Sequence, residues 1–156
     1  MNWNAIGAVG EIVGAAAVVV SLVYLAVQIR TQNREAKLAA MHEISAGFRD
    51  ALRAFADENM ATLFASANED YDSLSDAKVI QLISGLYPIL RVWEEAYIQS
   101  EQGRLDDRIW KAMNSQFSSY MTLPAMERVW NLRRGHFDQK FQEFVKQLES
   151  AEVKFR

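Results

Sequence analysis

The sequence contains no cysteine and only two histidines among its 156 residues. The absence of cysteine excludes disulfide bonds, thiolate metal sites and cysteine nucleophiles. With only His42 and His136 present, most histidine-based metal centres and acid–base sites are excluded as well. The formal net charge of −3 argues against a nucleic-acid partner, because such proteins usually carry a strongly basic face.

Helix-breaking residues are also scarce, with two prolines and seven glycines in the whole chain. This composition favours an all-α fold of a single domain. The sequence lacks the HExxH motif, the Glu-x-x-His pair of di-iron sites, a glycine-rich phosphate loop and the GxSxG elbow. We therefore predict that the protein is not an enzyme and has no catalytic, cofactor-binding or metal-binding residues.

One long apolar run, residues 5–29, contains no lysine or arginine and a single acid, Glu11. As a helix these residues rise about 37 Å, enough to cross a hydrocarbon core of about 30 Å. A cleaved signal peptide fits poorly, because the basic n-region is missing and the run is too long. A buried core helix also fits poorly, because no other segment is apolar enough to surround it. Residues 1–30 are therefore predicted to form a transmembrane helix in contact with lipid.

The charged flanks of this run predict its orientation. Arg30, Arg34 and Lys37 follow the run, whereas no basic side chain precedes it. Since basic flanks remain in the cytoplasm, we expect the N-terminus outside a bacterial inner membrane and the C-terminal domain in the cytoplasm. A C-terminal domain facing the periplasm is the alternative.

Small residues recur every three or four positions along this helix, at Gly7, Gly10, Gly14, Ala17 and Ser21. We call these five residues the small-residue seam. Helices in lipid associate where small residues let their backbones approach closely, and Gly10 with Gly14 forms a GxxxG pair. The seam predicts self-association or packing on a partner helix, although glycine and alanine are common in membrane helices in any case.

Glu11 lies beside the seam, about 9 Å from the middle of the span. A carboxylate at that depth costs a few kcal/mol, so it should be protonated, bonded to a neighbouring helix or open to water. The favoured interpretation is a hydrogen bond between helices that fixes their register. The alternative is a ring of acids lining an ion or proton path in an oligomer.

Residues 3–30 read WNAIGAVGEIVGAAAVVVSLVYLAVQIR. This run resembles the opening of a widespread family of short bacterial proteins of unassigned function, which share the motif WxAIGAxGExxGAxAVVxSLxYLAxQIR. Residues 97–110 and 130–145 are similar to the same family, more loosely. The resemblance covers most of the chain and implies an N-terminal span followed by a helical C-terminal region. It implies no activity.

Beyond Arg30 nothing breaks the helix until about Glu58, and the apolar spacing continues. This predicts a helical stalk over residues 31–58. Residues 59–156 are predicted to form a helical bundle that packs on the stalk. The acidic stretch 68–72 is expected to be a loop.

Local signals predict where the bundle helices begin and end. Ser73 with Asp76 resembles a capping box that opens a helix over 74–102, with Ile80 on its apolar face and a kink at Pro88. Gly103 suits the left-handed position that follows a helix.

Three further helices complete the predicted bundle. Asp106 is expected to cap a helix that ends near Thr122. Pro124 should begin another helix, which ends before Gly135. The last is predicted over 138–148.

Two adjacent acids, Glu94 and Glu95, are expected to be solvated or to cap a helix end, since neighbours in a helix point to different sides. Trp93, Trp110 and Trp130 are expected in the core.

Taken together, these features favour a membrane-anchored, homo-oligomeric assembly or scaffold protein. Two alternatives remain open at this stage. One is an ion- or proton-conducting oligomer with Glu11 in its pore. The other is an accessory subunit of a larger membrane complex, in which the seam packs on a different protein.

Overall fold

The computed structural model describes the backbone of residues 3–153 and the side chains of residues 7–148. Within that range the chain is helical, with no strand, which confirms the predicted all-α fold. The six α-helices are α1 (Trp3–Leu52), α2 (Glu58–Glu69), α3 (Asp76–Glu101), α4 (Asp107–Met121), α5 (Pro124–Arg133) and α6 (Gln139–Val153).

The chain divides into two compact units, Met1–Ala39 and Ala40–Arg156, and the division falls inside α1. The sequence placed divisions at residues 30 and 58. The last turns of α1 belong to the second unit because Ala40, Ile44 and Ala51 are buried in its core. Residues 1, 2 and 154–156 of the predicted segments lie outside the part that the structure describes.

The helix α1 ends at Leu52, six residues before the predicted end of the stalk. A short 3₁₀ turn, Arg53–Ala56, follows it. Asp57 then begins α2, because its side chain accepts a hydrogen bond from the backbone N–H of Met60 at 3.0 Å.

Three predicted helix boundaries are confirmed. Gly103 has a φ of 66°, the left-handed conformation that glycine adopts without a Cβ clash. Asp106 caps α4, accepting the backbone N–H of Arg108 at 3.0 Å. Pro124 occupies the first turn of α5, where its missing N–H leaves no hydrogen bond unmade.

The predicted capping box at Ser73 is wrong. Ser73 lies in a 3₁₀ turn, and its hydroxyl donates to the carbonyl of Asp70 at 2.9 Å. Ser75 holds the N-cap position of α3, so the helix begins two residues later than predicted. The predicted loop is also shorter, because α2 extends to Glu69.

The core of the second unit is aromatic at its centre. Trp93 stacks on Phe117, with ring centroids 5.5 Å apart, and meets Phe141 edge to face at 5.3 Å. The indole N–H of Trp93 donates to Asn114 Oδ1 at 3.1 Å, so the buried donor is satisfied. Trp130 is buried as expected, whereas Trp110 is only half-buried.

Close approach between α2 and α3 depends on Gly85. The side chain of Met60 occupies the place that a Cβ at residue 85 would need. The buried glycine thus fixes how closely these two helices pack.

Candidate functional site

Among the described residues, α1 is the helix long and apolar enough to cross a membrane. Its most apolar 18-residue window has a mean hydropathy of 2.4, and none of that window is buried within the chain. Ile12 and Val20 are 70% and 68% exposed. Such a surface is not that of a core helix in a folded unit, because core helices bury their apolar side chains.

The seam residues recur every three or four positions on α1 and so share one side of the helix. Apart from the backbone of the adjacent helical turns and the neighbouring residues, no described atom lies within 4 Å of where a Cβ would stand on Gly7, Gly10 or Gly14. Nothing in the described part of the chain therefore requires glycine at these three positions.

The two helical glycines of the second unit behave differently. A Cβ on Gly47 would stand 3.2 Å from Val92 Cγ2, and Gly85 is filled by the side chain of Met60. Packing within the chain explains why glycine stands at both positions. Unlike Gly47 and Gly85, the seam glycines therefore have no packing partner in the described part of the chain.

The polar members of this helix are mostly satisfied locally. Ser21 Oγ donates to the carbonyl of Ala17 at 2.8 Å, which is a bond inside one turn. Gln28 Nε2 donates to the hydroxyl of Tyr24 at 3.0 Å. Both pairs place their polar groups along the line of the seam.

Glu11 differs, because its carboxylate makes no hydrogen bond or ion pair with the side chains described over residues 7–148. At about 100° per residue it lies about 60° around the helix from Gly14. Within the described side chains Glu11 therefore has no partner.

In the second unit the acid that the sequence expected to be solvated or capping, Glu94, is 5% exposed. Its Oε1 accepts the backbone N–H of Asp138 at 2.6 Å, and its Oε2 pairs with Arg91 Nη1. The expectation of solvation is wrong for Glu94, because residue 94 follows Leu90 by one helical turn on the buried face of α3. That spacing was the signal that could have identified it.

This carboxylate joins α3 to the start of α6. Asp138 accepts the backbone N–H groups of Lys140 and Phe141 at 2.9 and 3.3 Å, so the residue held by Glu94 itself caps α6. Arg91 also lies over the ring of Phe137, 5.3 Å from its centre. The cluster is an ion pair in a structural role.

The neighbouring acid, Glu95, is half-buried. Burial raises the pKa of its carboxyl, the nearby Glu43 carboxylate raises it further, and Arg91 lowers it in part. Glu95 is therefore held in a setting that disfavours its charge.

A cleft of about 270 Å³ brings aromatic rings and acids together at Tyr97, Trp110, Phe144, Glu101 and Glu143. Burial raises the pKa of the Tyr97 hydroxyl, and nearby carboxylates, those of Glu101 and Glu143 among them, raise it further. The Tyr97 and Phe144 rings stack at 4.8 Å, which leaves no room for an ammonium group between them. The arrangement is aromatic packing and does not form a cation cage.

An apolar cavity of about 100 Å³ lies elsewhere in this unit. Its lining is hydrophobic apart from the hydroxyl of Tyr120, and includes Leu52, Phe55, Leu86 and Met126. No polar groups converge on it, so it offers packing space without a means of orienting a ligand.

The histidines and acids of the described residues do not cluster into a metal site. Over the described residues there is no group of three His, Cys, Asp or Glu side chains that could hold a metal ion. His42 and His136 are both exposed.

Comparison of the chain with protein-family models, curated proteins and solved structures found no match. Its function is therefore inferred from its own residues. Those that lack a partner within the described chain, the seam glycines and Glu11, lie on the apolar helix.

Proposed function

We propose that this protein is a membrane-anchored assembly protein whose copies associate through the small-residue seam of α1. The observation that carries the proposal is that an exposed apolar helix holds three glycines with no neighbour inside the described chain. Under this proposal the chain has no catalytic role.

The seam glycines carry a free-energy cost that packing against a second helix would offset. Glycine inside a helix costs about 1 kcal/mol relative to alanine, so Gly7, Gly10 and Gly14 together cost about 3 kcal/mol. Packing against a second helix offsets that cost, because backbones without side chains approach closely and gain dispersion contacts. Such contacts account for the glycines at residues 47 and 85 within the bundle. By the same reasoning, another copy of α1 accounts for those of the seam.

Glu11 supports the same assignment. An acid within an apolar span is costly unless it is hydrogen-bonded, and no partner for it occurs among the described side chains. A hydrogen bond between the Glu11 side chain and the neighbouring helix would satisfy this group and fix the register of the pair.

The basic flank supports an inner-membrane protein with its N-terminus outside and its bundle in the cytoplasm. Because the chain has no cysteine, an Ala112→Cys variant would carry one exposed thiol in α4. In intact cells a membrane-impermeant maleimide should leave this thiol unlabelled until the membrane is opened. Labelling of intact cells would reverse the orientation.

The seam is tested by Gly10→Leu with Gly14→Leu in the full chain. The bulky side chains would separate the backbones, so the detergent-extracted particle should shrink to fewer copies in a light-scattering mass measurement. Val9→Leu with Ala16→Leu adds bulk about 130° around the helix from the glycines and away from Glu11, and should leave the particle mass unchanged. An unchanged mass for the glycine variant contradicts the proposal, and so does a wild-type particle in which the seam packs on a different protein.

A second candidate function, an ion- or proton-conducting oligomer, is favoured by the unpartnered carboxylate of Glu11. In that case purified protein in liposomes should pass protons, and Glu11→Gln should change the rate. Wild-type liposomes that are no leakier than empty ones would remove this candidate and leave the assembly role untouched.

A further inference from the structure

A shallow apolar depression of about 290 Å³ lies between the first half of α3 and the last turns of α5. Val79, Ile80, Ile83 and Leu132 form its apolar lining. Ile80 is 65% exposed and Leu132 is 52% exposed, which makes them the two most exposed large hydrophobic side chains described in the second unit. Single exposed hydrophobic residues are ordinary, but two that share one concave surface indicate a contact site.

Two opposite charges stand in the same depression. Asp76 lies in the first turn of α3 and Arg133 in the last turn of α5. Neither forms an ion pair with another side chain described over residues 7–148. The depression therefore combines an apolar lining with one acid and one base that have no ion-pair partner, so it is complementary in charge to a surface on which the acid and the base exchange places.

We propose that this surface, the α3–α5 patch (Asp76, Val79, Ile80, Ile83, Leu132 and Arg133), docks the bundle onto that of a second copy of the chain. A two-fold axis that lies in the interface and passes between the two charges exchanges their positions. Asp76 of each copy then faces Arg133 of the other, and the exposed side chains of Ile80 and Leu132 lie in the same interface. We assign the surface to a second copy because every copy carries both charges, so the patch is complementary in charge to itself.

The patch is small beside the roughly 800 Å² per partner that a stable interface between free proteins buries. Anchoring in a shared membrane raises the effective concentration of the copies, so a weak contact suffices. In this respect the inference rests on the proposed function, in which α1 holds the copies together.

The geometry predicts which residues meet, and the cysteine-free chain makes this measurable. Full-length Ile80→Cys and Leu132→Cys proteins, with different tags, would be reconstituted together in liposomes and oxidised with copper phenanthroline. The two-fold arrangement places α3 against α5 of the other copy, so the mixed disulfide should form several-fold faster than that between Ile80→Cys and the α4 control Ala112→Cys. Equal rates for the two pairs would overturn the proposal.

Charge reversal separates docking from chance collision. Asp76→Arg or Arg133→Asp, introduced in both copies, places like charges opposite each other and should lower the mixed-disulfide rate several-fold. The double reversal restores opposite charges and should recover most of the wild-type rate. Failure of the double reversal to recover the rate, with helical content unchanged, would contradict the arrangement.

The same reaction in the Gly10→Leu, Gly14→Leu background distinguishes the two proposals. A charge-dependent mixed disulfide there would support the patch even if particle mass showed the seam to be inactive. If the seam controls particle mass but the disulfide ignores the charges, the patch fails alone. Capture of a different protein by Ile80→Cys in native membranes, with no second copy, would also overturn the patch.

Discussion

Glu94 illustrates how one side chain can connect distant parts of the bundle. Its carboxylate is buried, yet both oxygens are used, one by Arg91 and one by the N–H of Asp138. Burying a charge is costly unless it is paired and hydrogen-bonded, and Glu94 meets both conditions. Asp138 in turn caps α6, so this single residue helps to set where the last helix begins.

Replacing Glu94 with alanine should therefore destabilise the bundle. The variant leaves the Asp138 N–H unsatisfied and Arg91 without its partner, and we expect a loss of about 1–3 kcal/mol in the free energy of unfolding. Urea unfolding followed by circular dichroism measures this loss. Glu127→Ala removes an exposed acid from α5 and should change stability by less than about 0.5 kcal/mol. Equal stabilities for the two variants would contradict the structural role of Glu94.

The charge of Glu95 is expected to destabilise the bundle, in contrast to that of Glu94. Burial, and then the Glu43 carboxylate, raise the pKa of Glu95 in the folded state above its value in the unfolded chain. The carboxyl therefore ionises less readily in the folded protein, and its ionisation lowers stability as the pH rises above the pKa of the unfolded chain. Glu95→Gln should therefore raise the urea midpoint near pH 8 and change it little near pH 4, where the carboxyl is largely protonated in both states. A midpoint gain that is the same at both pH values would point to packing instead of charge.

At the scale of whole helices, most boundaries set by local chemistry were predictable, whereas contacts between distant residues were not. Gly103, Asp106 and Pro124 act within their own turns, so the sequence located α4 and α5 closely. The end of α2 depends on α5, because Asn68 Oδ1 accepts the backbone N–H of Ala125 at 3.1 Å. A contact across 57 positions leaves no local signal in the sequence. The capping box failed for a local reason, because the Ser73 hydroxyl donates to the Asp70 carbonyl within a 3₁₀ turn and α3 begins after Ser75.

The two glycines that flank helix ends provide a matched test of backbone conformation. Gly103→Ala forces a side chain into a left-handed conformation and should cost about 1 kcal/mol. Gly135 has no left-handed φ and no neighbour at the Cβ position, so Gly135→Ala should be neutral or stabilise by up to about 1 kcal/mol. The difference in thermal midpoint between the two variants measures this effect. Equal midpoints would contradict a conformational role for Gly103.

The candidate sites also differ in whether they could be predicted from the sequence. The seam and Glu11 could be identified from spacing along one helix, since that surface needs no tertiary information. The α3–α5 patch could not. Ile80 follows the apolar spacing of α3 and was expected to face inward, but the contacts between α3 and α5 leave it 65% exposed.

At the scale of the whole molecule, the two units differ in whether their apolar side chains are buried within the chain. The second unit buries most of its large apolar side chains within the chain and satisfies its most buried charge. The apolar side chains described in the first unit remain exposed, and their surface requires lipid, another helix or both. We propose that this surface contacts lipid on most sides and other copies along the seam.

The most direct test of this central claim is the number of chains in the untouched particle. Native mass spectrometry of the full-length protein, extracted gently from its membrane, counts the chains and identifies any other subunit. We expect a particle that contains two or more copies of this chain and no other protein. A single copy, alone or bound to a different protein, would contradict it.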